Sequence, residues 1–80
     1  MKPFKTIIAS MEGIKVELYL DRAARYIHNF VTGEWKQDCE APMPIEWGSQ
    51  AYFDLTKDIG QYQRCEVLAA IRDALTAKMA

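Results

Sequence analysis

The chain has 80 residues, of which 50% are hydrophobic, 11% aromatic and 26% charged, with a formal net charge of −1. That length excludes a second domain, because a chain of this size buries only about 60 to 65% of its unfolded surface and supports one core. The composition is too apolar for a disordered chain, and the near-neutral charge gives no basic stripe of the kind that nucleic acid requires.

The N-terminus reads Met-Lys-Pro-Phe-Lys, and the short apolar stretch from Thr6 to Ser10 is soon interrupted by Glu12. This is neither a signal peptide nor long enough to span a bilayer, so a cytoplasmic protein without membrane contact is expected. Residues 4 to 9 are rich in strand formers, and Ser10-Met11-Glu12-Gly13 supplies the glycine of a hairpin turn. Residues 14 to 20 alternate Ile14, Val16, Leu18 and Leu20 with Lys15, Glu17 and Tyr19, which predicts a strand with one face in the core, antiparallel to the first.

Residues 21 to 33 allow two readings. Asp21 could cap a helix through Ala23, Ile27, Phe30 and Val31 to Gly33. Alternatively, Arg25 to Val31 is a strand, Thr32-Gly33 turns the chain, and Glu34 to Gln37 returns around Trp35. The second reading is favoured, since Tyr26, Ile27, Phe30, Val31 and Thr32 lose side-chain freedom in a helix and suit a pleated sheet.

From Asp38 to Gln50 the prolines at 42 and 44 and Gly48 predict a long connection over the sheet. Tyr52, Phe53 and Leu55 suggest a further short strand, followed by a turn from Thr56 to Gly60. Between Gln61 and Met79 the apolar residues Leu68, Ile71, Leu75 and Met79 recur at spacings of three and four, flanked by Val67 and Ala74, which predicts an amphipathic helix. The expected fold is α+β, a single domain over residues 1–80: an antiparallel β-meander of three or four strands with one C-terminal α-helix packed on one face. A stability of roughly 4 to 12 kcal/mol follows from length, and a homodimer would bury further apolar surface.

Reactive side chains are sparse. His28 is the single histidine, with no adjacent nucleophile or carboxylate to complete an acid-base site. Cys39 and Cys65 lack CxxC spacing and, with His28, stand too far apart for a zinc site, so two free thiols and no metal or other cofactor are expected. The four glycines are scattered singly and form no phosphate loop. Lys15, Arg22 and Arg25 make the one local cationic group capable of touching phosphate.

Charge is nevertheless distributed unevenly. Between Glu34 and Asp54 stand five carboxylates against the single cation Lys36, interleaved with Trp35, Trp47, Tyr52 and Phe53. Such a segment either keeps a loop soluble over buried indoles or presents an exposed aromatic anchor ringed by carboxylates to a basic partner. In size, solitary-domain format and acidity the chain resembles small phage-encoded inhibitor proteins, including anti-CRISPR proteins. The resemblance rests on no family motif, and it implies a non-catalytic module whose acidic-aromatic surface blocks a basic, nucleic-acid-handling host complex. Glu34, Trp35, Asp38, Glu40, Glu46 and Trp47 are the candidate binding residues. Two alternatives are a scaffold subunit acting through homo-oligomerisation and a small ligand-binding protein or enzyme.

Overall fold

The computed structural model describes residues 2–79, without the side chains of Lys78 and Met79. Four strands, β1 (Lys5–Ala9), β2 (Ile14–Leu18), β3 (Arg22–His28) and β4 (Trp35–Pro42), precede two helices, α1 (Gln50–Thr56) and α2 (Gln61–Met79). The strands form one antiparallel sheet in the order β1-β2-β3-β4, so the meander reading of residues 21 to 33 holds, but β3 starts three residues earlier than expected and ends at His28, which leaves Phe30 and Val31 in the turn instead of the strand. Strand alternation puts Ile7, Ala9, Ile14, Val16, Leu18, Ala23 and Ala41 on the face that meets the helices.

The two hairpin turns that follow β1 and β3 lie at the same end of the sheet. Gly13 sits at φ +69° in the first, a conformation that L residues adopt only at a cost, and its carbonyl accepts from the His28 amide at 2.8 Å. The β2–β3 turn at the opposite end is closed by the Tyr19 amide donating to the Arg22 carbonyl at 2.8 Å.

Two local expectations are corrected. The segment from Asp38 was expected to be loop, yet β4 continues to Pro42. As an edge strand it needs no outward donor, so a proline at its end is tolerated. Tyr52, Phe53 and Leu55 were expected to be a strand and belong to α1 instead. Ser49 caps that helix, its hydroxyl accepting from the Tyr52 amide at 3.2 Å, while the buried Tyr52, Leu55 and Thr56 repeat at helical spacing.

The C-terminal helix packs on the sheet as expected, but its buried stripe is Val67, Ala70, Ile71 and Ala74. Leu68 is only half-buried and Leu75 is 45% exposed, while Met79 falls outside the described side chains. The two alanines explain the rotation: they let the helix backbone approach the sheet, which larger side chains at those positions would hold off.

One buried cation locks the layers together. Arg25, 2% exposed, lies on the helix-facing side of β3 and donates through Nη1 to the carbonyls of Asp54 at 2.9 Å and Lys57 at 2.7 Å. It thereby satisfies orphan carbonyls at the negative end of α1. Its Nε is 3.2 Å from Asp38 Oδ2, within ion-pair range but too poorly aligned for a hydrogen bond. Asp38 reaches it because the β3–β4 register shifts between Arg25 and Tyr26: Arg25 faces Cys39, Tyr26 faces Gln37, and Asp38 is the extra residue of a bulge. The expected cationic group is therefore divided, with Arg25 in the interior and Lys15 and Arg22 on the opposite face of the sheet.

Candidate functional site at the turn end of the sheet

The β3–β4 hairpin carries large apolar side chains where a turn is usually polar. Val31 is 95% exposed, Phe30 67% and Ile27 43%, and Met11 in the neighbouring β1–β2 turn is 93% exposed. The Phe30 ring ties the two turns together by lying against Gly13, so closely that a Cβ there would come within 2.8 Å of it. Glycine is thus required twice at position 13, for its backbone angle and for the aromatic ring above it.

This apolar end has a defined backbone. Asn29 Oδ1 accepts from the amides of Val31 at 2.9 Å and Thr32 at 3.2 Å, and the Asn29 carbonyl accepts from Gly33 at 2.7 Å. The Asn29 amide donates to the Glu34 carbonyl at 2.8 Å, and Thr32 Oγ1 accepts from the Glu34 amide at 3.3 Å. Gly33 supplies the positive φ of +80° that closes the turn. Asparagine and threonine fix turns in this way by substituting side-chain acceptors for backbone ones. Along the hairpin an open concavity of about 670 Å³ runs past Ile27, Asn29, Phe30, Val31, Lys36 and Asp38.

The sheet face away from the helices continues the site with a ladder of rings. His28 stacks between Phe30, at 4.8 Å and edge-on, and Trp35, at 4.7 Å and tilted. Lys15 Nζ lies 4.7 Å from the Trp35 ring centre and 5.0 Å from that of Tyr26, and pairs with Glu17 at 3.6 Å. Farther along, the Arg22 guanidinium covers Tyr19, whose hydroxyl donates to Glu17 at 3.2 Å. Burial pushes the phenols of Tyr19 and Tyr26 above their ordinary range, and the Glu17 carboxylate adds to both.

The six residues singled out by sequence do not form one surface. Glu34 is exposed in the hairpin turn, Trp35 begins β4 on the ring ladder, and Asp38 borders the concavity while paired to Arg25. Glu40 lies farther along β4, 3.8 Å from Arg22 Nε. Glu46 and Trp47 belong to the loop before α1, where Trp47 is 73% exposed. Met11, Glu12, Phe30 and Val31 were not anticipated as site residues. Their signal is Phe30-Val31 placed between Asn29 and Thr32-Gly33, an apolar pair inside a sequence of turn formers.

Among the described residues no group of three or more histidine, cysteine or acidic side chains gathers into a metal site. Both thiols are free, Cys65 exposed on α2 and Cys39 half-buried in β4, where burial first and the Asp38 charge second push its thiol up. No helix is long and apolar enough to cross a membrane among the described residues. No protein-family model, curated protein or solved structure matches the chain.

Proposed function

We propose that the protein is a non-catalytic binding module that inserts the turn end of its sheet into an apolar groove with a basic rim on a larger protein. Met11, Phe30 and Val31 are the inserted side chains, and the exposed carboxylates of Glu12 and Glu34 beside them meet the rim. The observation that carries this reading is large apolar side chains held outward on a turn whose backbone is fixed by Asn29 and Thr32. Such a tip loses little conformational freedom on docking, so more of its apolar burial is left as affinity.

His28, packed between two aromatic rings, is occupied as a structural contact, which favours binding over turnover. Direct nucleic-acid contact is disfavoured on the open sheet face because Lys15 and Arg22 are matched there by Glu17 and Glu40. A protein whose basic surface handles nucleic acid fits the charge of the turn end, and occupying that surface would inhibit it.

The test is a photo-crosslinking residue at position 31, compared with one at Tyr62, which is 75% exposed at the start of α2. In host lysate the position-31 probe should label one protein, and labelling should fall at least tenfold when Phe30→Ser is added, a loss of about 1.4 kcal/mol. Equal labelling from position 62, or labelling indifferent to Phe30→Ser, places recognition elsewhere.

A further inference from the structure

We propose that the outer edge of β1 pairs antiparallel with the same strand of a second copy of this chain, centred on Ile7, joining two four-stranded sheets into one. The proposal is independent of the turn-end reading. Both edge strands of the sheet leave a row of backbone groups without hydrogen-bond partners among the described residues, but only one is guarded. β4 carries three devices that prevent strand addition: a bulge at Asp38, the terminal Pro42, and the charges of Lys36, Asp38 and Glu40. β1 reads Lys-Thr-Ile-Ile-Ala, without proline or bulge and in unbroken register with β2 over its whole length.

The sequence of this edge is self-complementary. Antiparallel pairing about Ile7 sets Ile7 against its copy in the core layer and Thr6 against Ile8 on the open face. Lys5 then faces Ala9, so no like charges meet across the strands. Ile8 is 54% exposed and Phe4 42% exposed in the monomer, and both would be covered in part. Beside the edge runs a groove against α2 lined by Phe4, Lys5, Glu66, Ala69, Ala70 and Asp73, which presents both signs of charge to an approaching copy.

Two measurements test this together. Sedimentation of the intact chain at about 0.1 mM, where even a weak association is populated, should give twice the monomer mass. In a Cys39→Ala, Cys65→Ser background, Thr6→Cys chains mixed with Ile8→Cys chains should form a disulfide-linked heterodimer in glutathione buffer, and either variant alone should not. Opposed residues across an antiparallel pair have Cα atoms about 4.5 to 5.5 Å apart, within disulfide range. A monomer mass for the intact chain overturns the proposal, as does crosslinking of Thr6→Cys alone as efficient as that of the mixture.

Discussion

Removing the Arg25 side chain should be among the most destabilising single changes in this protein. Its Nη1 makes two charge-assisted hydrogen bonds, to the carbonyls of Asp54 and Lys57, in a site that is 2% exposed. Such bonds contribute about 1.5 to 3 kcal/mol each. The carboxylates of Asp38 and Asp58, 44% and 68% exposed, regain water when the guanidinium leaves, so their ion pairs add at most about 1 kcal/mol. Deleting the cation also removes its own desolvation cost, which brings the net loss for Arg25→Ala to about 3 to 5 kcal/mol. Against a total of roughly 4 to 12 kcal/mol this leaves a marginal fold. Arg25→Met keeps the aliphatic packing but still orphans both carbonyls, so it should fall by about 2 to 4 kcal/mol, one to two hydrogen bonds' worth. Arg25→Lys retains charge without the planar fork and should recover part of the loss. Urea unfolding followed by tryptophan fluorescence measures all three. Native stability for Arg25→Met would refute the claim that the carbonyls depend on this residue.

On α2, Ile71→Ala should cost about 2 to 5 kcal/mol and Leu75→Ala under about 1 kcal/mol in the same titration, because only the first lies in the buried stripe. Gly13→Ala should lose about 1 to 2 kcal/mol from its positive φ alone, and pairing it with Phe30→Ala should relieve only the additional steric part. Tyr19 and Tyr26 have folded-state pKa values above the ordinary 10.0, so their contribution to stability is fully present below that pH and lost as pH rises through the raised values. Ultraviolet titration of Glu17→Gln should show both phenols ionising earlier than in the native protein, yet still late, since burial is the larger cause. Alkylation followed by mass spectrometry should label exposed Cys65 before half-buried Cys39, whose thiol is pushed up.

The architecture was readable wherever one local signal dominated. Period-two alternation in Ile14 to Leu20 and the spacings of three and four after Gln61 placed β2 and α2 closely. α1 was missed because Tyr52-Phe53 weighs towards a strand, and the deciding feature, Ser49 capping a helix only seven residues long, competes weakly with that preference. The placement of α2's buried face depended on how near its backbone comes to the sheet. Alanines at 70 and 74 permit a close approach, and a stripe read chiefly from Leu68, Ile71, Leu75 and Met79 gave Ala74 only a flanking place and left Ala70 out. Arg25 was beyond local reading. Its partners lie 29 and 32 residues away, at a helix end that the sequence had not identified. The ion pairs of the acidic segment were beyond local reading for a related reason: Arg25 and Arg22 engage Asp38 and Glu40, and the bulge at Asp38 is invisible before the register is known.

The two proposed surfaces are joined by the geometry of the sheet. Both hairpin turns of the site lie at the end of the sheet to which β1 runs, so an antiparallel pairing of β1 with its copy sends the two apolar tips in opposite directions. The pair would then be two-headed, unable to place both tips in one groove and able to bridge two partner molecules. A partner carrying a single groove should therefore be bound in a 2:2 complex without a gain in affinity, whereas a partner that repeats the groove along an array should be held more tightly by effective concentration. Thr6→Pro, which removes a backbone donor from the edge strand β1, should abolish the second effect and spare the first. Loss of binding to the single-groove partner by a folded Thr6→Pro monomer would show instead that the edge and the tip form one continuous recognition surface.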